Sequence, residues 1–170
     1  MTILGLNLRT TSKHASEVVV LSREGQLRFL RSFKDERELF KIAGNYQPQL
    51  LAIGAPITLP SGLCCLETSC SCDFAAPHMK GRQLELELPK ITYGCVVNNK
   101  SSIFRNLIYT GMGINKKLRV RGYKVIEVCT NASRVVLFGD SVPKKNAASS
   151  LPFLRERLAA LIAGLEVVSD

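Results

Sequence analysis

The sequence predicts one α/β domain with a mixed five-stranded sheet, in which three antiparallel strands come first and two parallel strands follow. Residues 1–33 contain three short apolar runs separated by polar turns, which is the pattern of an antiparallel meander. Two later apolar runs each follow a helical pattern, and a helical crossover between strands implies parallel pairing. Between those two runs lies segment 55–99, which is predicted to be a cysteine-containing insertion in a single domain spanning 1–170.

The first three strands are predicted from short apolar runs, the third of which alternates apolar with polar residues. They cover residues 2–8, 17–21 and 26–33. Gly25 stands in the turn between the second and the third run, where hairpin connections favour glycine. The chain is therefore expected to begin as a meander of antiparallel strands.

A helix and a buried strand are predicted next. Asp35 is the expected N-cap, Glu38 would complete a capping box, and Gly44 with Asn45 would end the helix. The continuous apolar run 50–53 is bounded by Gly and Pro, which suits a strand buried on both faces. Because α/β proteins tend to place sites beyond the carboxyl ends of such strands, the segment that follows is the first place to look for one.

The rest of the chain is predicted to be mainly helical. Within the insertion, residues 82–88 fit an edge strand or a short helix equally well. The elements predicted after it are a helix over 101–121, a strand over 123–129, a short helix over 131–138 and a last helix from Ser150. The helix over 101–121 is weakened by Gly111 and Gly113, and its expected buried face is Ile103, Leu107, Ile114 and Leu118.

The composition indicates a basic, globular protein. Lysine and arginine number 23 against 14 acidic residues, which gives a formal net charge of +9. A basic surface attracts polyanions, nucleic acid first, and the alternative is an evenly solvated basic surface. No apolar run approaches the roughly 20 residues of a membrane helix, and the N-terminus lacks the basic leader of a secretory signal. The expected location is therefore the cytoplasm, without a membrane partner.

Four of the six cysteines are crowded into the insertion, at Cys64, Cys65, Cys70 and Cys72. Four soft ligands are enough for a tetrahedral zinc site, and His78 follows six residues later. The spacing differs from the pairs separated by two residues that typify zinc knuckles, and an iron–sulfur cluster would need the same four thiolates. The alternative is a group of free or buried thiols, which is also what we expect of Cys95 and Cys129.

Several short motifs resemble one family of proteins, the predicted nucleases grouped as domain of unknown function 429, which have a ribonuclease-H-like fold. The motifs are LGLNL at 4–8, AIGAPITLP at 52–60, Cys72-Asp73, RGYKVIEV at 121–128, NAS at 131–133 and PKKN at 143–146. Each motif is short, and together they are distributed along nearly the whole chain. The resemblance implies a ribonuclease-H-like sheet and metal-dependent hydrolysis of nucleic acid.

The resemblance also implies a set of site residues. Asn7, Asp73 and Glu127 would hold Mg²⁺ or Mn²⁺, since folds of this kind set carboxylates around one or two metals that activate water. Family members usually carry acidic residues where this chain has Asn7 and Gly54. The expected function is thus a metal-dependent nuclease or a relative that keeps nucleic-acid binding and has lost the chemistry.

Basic residues late in the chain are the candidates for phosphate contacts. They are Lys116, Lys117, Arg134 and Lys144, with Lys145, Arg119 and Arg121 nearby in sequence. The expected partner is DNA or RNA bound through its backbone, and a homodimer is a further candidate assembly. Aromatic residues make up 6% of the chain and tryptophan is absent, which gives little material for stacking on bases. The competing interpretation is a non-enzymatic module in which the cysteine segment binds zinc and a partner protein.

Overall fold

The computed structural model describes residues 1–9, 15–75, 81–90, 100, 102–144 and 146–165. These residues form a mixed α/β fold whose strands are β1 (Thr2–Asn7), β2 (Ser16–Ser22), β3 (Leu27–Phe33), β4 (Leu50–Ile53) and β5 (Val125–Glu127). The helices are α1 (Glu36–Tyr46), α2 (Gln83–Glu87), α3 (Arg105–Val120), α4 (Thr130–Phe138) and α5 (Ser150–Ala159). None of these helices combines the length and the apolar character needed to cross a bilayer.

The five strands form one sheet in the order β3-β2-β1-β4-β5. β1 pairs with β2 and β2 with β3, both antiparallel, and Gly25 adopts a φ of 78° in the turn before β3. β1 pairs with β4 and β4 with β5, both parallel, so that Gly5, Ala52 and Ile126 stand side by side. The predicted mixed sheet is therefore confirmed. β5 is shorter than the strand predicted over 123–129, because only Val125, Ile126 and Glu127 pair with β4.

The main core lies on one face of the sheet. Alternate strand residues such as Leu4, Leu51 and Val125 are buried there against α1 and α3. The expectation that β4 is buried on both faces is wrong, because Leu51 and Ile53 are fully buried whereas Leu50 and Ala52 are half-buried. A single helical layer thus covers this face, and the carboxyl ends of β1, β4 and β5 meet at one edge.

The helix boundaries differ from the predictions in two places. Asp35 is the N-cap of α1, accepting a hydrogen bond of 2.8 Å from the Arg37 amide. The helix continues through Gly44 to Tyr46, and its C-cap is Gln47, whose φ is 42°. The long helix α3 begins at Arg105, so that Ile103 precedes it and is 89% exposed rather than buried. Ser101 lies outside the described residues.

Neither glycine of α3 interrupts the helix. A Cβ on Gly111 would lie 2.4 Å from the Pro56 carbonyl oxygen, so glycine is what allows α3 to approach the chain leaving β4. The ambiguous stretch over 82–88 contains the short helix α2. These two features bring the insertion against both α3 and the edge of the sheet.

Candidate metal centre and strand-end pocket

The four cysteines of the insertion converge in space. The Sγ atoms of Cys64, Cys65, Cys70 and Cys72 all lie within 4.8 Å of one another, and the Cys64 and Cys70 sulfurs are 3.6 Å apart. Zinc–sulfur bonds of about 2.3 Å in a tetrahedron place the sulfurs about 3.8 Å apart. All four cysteines are free thiols, and 3.6 Å is far longer than the ~2.05 Å of a disulfide. Four close cysteines in this arrangement could hold a metal such as zinc.

The loop that carries the cysteines is folded on a small core of its own. Leu63 and Leu66 are buried against Ile108 of α3, apart from the main core. The loop closes where the Ala75 amide donates to the Ser61 carbonyl oxygen at 2.9 Å. Gly62 permits this closure, because its φ is 92° and a Cβ there would lie 2.3 Å from the Ala75 nitrogen.

Helix α3 fastens the cysteine loop through polar contacts. The Tyr109 hydroxyl accepts a hydrogen bond from the Leu66 amide at 2.7 Å and donates one to Glu67 Oε1 at 3.2 Å. Arg105 Nη1 is 3.0 Å from Glu67 Oε2. Residues 105 and 109 lie one helical turn apart, so a single face of α3 holds the loop next to the cysteines.

The thiols of the cluster differ in their affinity for protons. Hydrogen bonding to the backbone of Cys65 and of Cys64 lowers the pKa of the Cys72 thiol to about 6. Hydrogen bonding with the thiols of Cys72, Cys70 and Cys65 raises the pKa of Cys64 to about 12. The lowered pKa favours the thiolate form of Cys72, and thiolates are the form in which cysteine binds soft metals.

A second candidate site is a cavity of about 240 Å³ at the carboxyl ends of β1, β4 and β5. Asn7, Gly54 and Glu127 all line it, so the structure brings the predicted residues Asn7 and Glu127 to one pocket. Asp73 is not among the residues that line this pocket; it is exposed, and its carboxylate accepts a hydrogen bond from the Phe74 amide at 2.8 Å. Two of the three predicted metal-binding residues thus share a pocket.

The pocket contains a network of charged residues of which the sequence analysis predicted only Glu127. Arg82 Nη1 and Nη2 lie 2.6 and 2.7 Å from the two carboxylate oxygens of Glu127, and Arg82 Nε lies 2.8 Å from Glu85. The side chains of Arg82, Glu127 and Glu85 are only 11%, 15% and 2% exposed. The Ile57 amide also donates to Glu127, at 3.0 Å. The Glu127 oxygens that would ligate a metal therefore already accept hydrogen bonds from the Arg82 guanidinium and the Ile57 amide.

Asn7 is also engaged with a neighbour. Its amide nitrogen donates to Glu17 Oε2 at 2.7 Å, and residues 7 and 17 stand opposite each other in the β1–β2 pair.

The sequence carried one signal for the charged network around Arg82, a glutamate three residues after it, which is the N3 position of α2. The link from Arg82 to Glu127, 45 residues further along the chain, had no local signal.

The four predicted phosphate-binding residues lie in different settings. Lys116 and Lys144 are exposed, and Lys117 is paired with Glu36 of α1. Arg134 is half-buried and donates to the Pro143 carbonyl oxygen and to Ser150 Oγ, both at 3.0 Å, which ties α4 to the start of α5. Lys145, His78 and Cys95 lie outside the described residues.

Comparisons with family models, with curated proteins and with solved structures give no match to this chain. The resemblance to the predicted nucleases therefore stays a prediction.

Proposed function

We propose that this protein is a zinc-binding module of ribonuclease-H-like topology that does not hydrolyse phosphodiesters. The observation that carries the proposal is the convergence of four cysteine sulfurs within 4.8 Å. Three antiparallel strands, a helix, and then parallel strands joined by helices are the layout on which the proposed topology depends. The free thiols suit a reducing compartment such as the cytoplasm.

The proposed role of the metal is structural. Four cysteines satisfy all four positions of a tetrahedral zinc, which leaves no position for the water that a catalytic zinc activates. Among the described residues, the buried side chains of the second core are Leu63, Leu66 and Ile108, and metal–thiolate bonds would add cohesion to this loop. An organised loop of this kind could present a surface to a partner protein.

Hydrolysis of the usual two-metal type is disfavoured by the strand-end pocket. The resemblance would place Mg²⁺ or Mn²⁺ among Asn7, Asp73 and Glu127, yet Asn7 brings no charge and Glu127 is paired with Arg82. A guanidinium stays protonated throughout the physiological pH range, so it already neutralises the carboxylate that a metal would require. We therefore propose that the nuclease chemistry implied by the resemblance has been lost.

Metal analysis of the full chain purified under reducing conditions tests the proposal. We expect about one zinc per chain, lost when Cys64, Cys65, Cys70 or Cys72 is replaced by Ser. Cys129→Ser is the matched control, because Cys129 lies outside the cluster, and it should keep the metal. Magnesium-dependent or manganese-dependent cleavage of DNA or RNA, abolished by Glu127→Gln, would overturn the proposal, as would failure to bind zinc.

Backbone-directed binding of nucleic acid is a second candidate function, favoured by the exposed basic side of α3 and the net charge of +9. Lys116 is its best candidate contact, since Lys117 is paired with Glu36 and Arg134 is engaged internally. Lys116→Glu should weaken binding and reduce the salt dependence by a slope of about 1. Lys90→Glu is the control, because Lys90 is paired with Glu87 beside α2. Equal effects of the two variants would remove α3 from the binding surface.

A further inference from the structure

A lysine lies against the loop that carries the four cysteines. Lys100 Nζ donates a hydrogen bond of 2.6 Å to the Cys70 carbonyl oxygen and another to the Cys72 carbonyl oxygen. Lys100 is 28 residues away from Cys72 in sequence, so this contact is tertiary. The ammonium is partly buried, and it joins the backbones of two of the four cysteines.

The negative charge of a zinc-bound cysteine loop would favour a cation at the position of Lys100. Four thiolates and one Zn²⁺ carry a net charge of about −2, and partial burial weakens the screening of such a charge by water. In the described ranges, the other side chains that make polar contacts to the loop are Arg105, which is paired with Glu67, and Tyr109, which is neutral. Among the described residues, Glu67 offsets the charge of Arg105, whereas the partners of Lys100 on this loop are uncharged carbonyl oxygens.

We propose that Lys100 is the countercharge of the four-cysteine site, a positioning residue that strengthens zinc binding by holding an ammonium against the ligand loop. This inference rests on the proposed zinc site. Residues that support metal ligands from outside typically change metal affinity 10-fold to 100-fold when they are replaced. Lys100 acts in two ways, since its hydrogen bonds fix the backbone between Cys70 and Cys72 and its charge favours the dianionic metal complex.

Competition for zinc between the full chain and a chromophoric chelator, under reducing conditions, tests the inference. Lys100→Gln retains a hydrogen-bond donor and removes the charge, and we expect it to weaken zinc affinity at least about tenfold at low salt. Lys100→Arg retains the charge and should stay within about threefold of the wild type. The difference between Gln and Arg should shrink as salt is raised, because ions screen a partly exposed charge.

Tyr109→Phe is the matched control, because it removes a hydrogen bond to the same loop without changing the charge. Any loss of zinc affinity that it causes should be the same at every salt concentration, because no charge is removed. Lys100→Met is a second neutral variant in case Gln disturbs the loop, and the cobalt spectrum of each variant reports whether the tetrahedral thiolate geometry is intact.

The outcomes separate the inference from the zinc site on which it rests. If the wild type binds zinc and both neutral variants bind it equally well, the countercharge role is refuted while the site survives. If Gln and Arg weaken binding equally at every salt concentration, Lys100 acts only through its shape, and the inference is again refuted. If the wild type binds no zinc, the proposed function itself fails.

Discussion

Arg82 and Glu127 form a bidentate salt bridge at the end of β5, with Nη1–Oε2 and Nη2–Oε1 distances of 2.6 and 2.7 Å. The pair joins the insertion to the sheet, since Arg82 is the N-cap residue of α2 and Glu127 is the last residue of β5. Both side chains are largely buried, at 11% and 15% exposure. The guanidinium thus binds both carboxylate oxygens of Glu127, the residue that the family resemblance predicts as a metal ligand, and the contribution of this pair to stability can be measured.

Glu127→Gln should destabilise the protein by about 2–4 kcal/mol, because it leaves the largely buried Arg82 with Glu85 as its remaining carboxylate partner. Glu87→Gln makes the same chemical change in the Glu87–Lys90 pair, whose side chains are 53% and 69% exposed, and should cost no more than about 0.5 kcal/mol. Urea unfolding gives both values. Equal costs for the two variants would show that Arg82 and Glu127 are not paired as the structure has them.

The two glycines of α3 should respond to alanine with opposite signs. Gly111→Ala places a Cβ 2.4 Å from the Pro56 carbonyl oxygen and should destabilise by about 1–3 kcal/mol, since either α3 or the backbone must shift. Gly113 has no described atom within 4 Å of its Cβ position, so Gly113→Ala should stabilise by about 0.5–1 kcal/mol through helix propensity. The free energies of unfolding of both variants test the close approach of Gly111 to the Pro56 carbonyl oxygen. Stabilisation by both would rule it out.

The N-cap of α1 should make stability depend on pH. Hydrogen bonds from the Arg37 side chain, and then from its amide, hold the pKa of Asp35 below its ordinary value of 3.8. A lowered folded-state pKa contributes stability that is fully present above the unfolded-state value and is lost as pH falls through the folded-state value. Asp35→Asn keeps a good N-cap without the charge. It should therefore be less stable than the wild type near neutrality and equally stable in acid.

Thermal unfolding of the wild type and of Asp35→Asn at a series of pH values measures that difference. Arg37→Ala provides the control, because it removes the side-chain donor that is the largest cause of the lowered pKa and should flatten the pH dependence of the difference. A difference in unfolding temperature between the wild type and Asp35→Asn that stays constant down to strongly acidic pH would show that the Asp35 charge is not its cause.

The sequence was most informative where the signal was local and repeated. Short apolar runs predicted all five strands, and the run Leu50–Ile53 coincides with β4. Helix ends were harder, because Gly44 is tolerated inside α1 and the helix stops where Gln47 adopts a left-handed conformation. Periodicity alone could not show that Ile103 lies before α3 begins.

The candidate sites depended on contacts that sequence spacing does not encode. Four cysteines close in sequence predicted a thiol-rich segment, but the convergence of their sulfurs depends on Gly62 closing the loop and on Tyr109 holding it. The pairing of Arg82 with Glu127 joins residues from the insertion and the sheet. Both networks join residues that are far apart in the sequence. Residue types and spacing therefore predicted the candidate residues but not the side chains that they contact.

Removal of zinc should loosen the cysteine loop and leave the sheet intact. Leu63 and Leu66 belong to a small core apart from the one around Leu4 and Leu51, and α3 is the helix that contributes to both. Hydrogen exchange read by mass spectrometry, with and without a chelator, should show exchange at least about tenfold faster in peptides covering 61–75. Peptides from β1 and β4 should exchange at unchanged rates.

The Cys129→Ser variant supplies the control for this experiment, because it keeps the four-cysteine site and should respond to the chelator as the wild type does. Unchanged exchange throughout the loop would mean that metal does not support it, and that the Leu63–Leu66–Ile108 core holds it unaided. Faster exchange across β1 and β4 as well would mean that the loop and the sheet unfold as one unit. Separate responses are expected because the buried side chains of the described residues form two distinct clusters, one around the sheet and one under the loop.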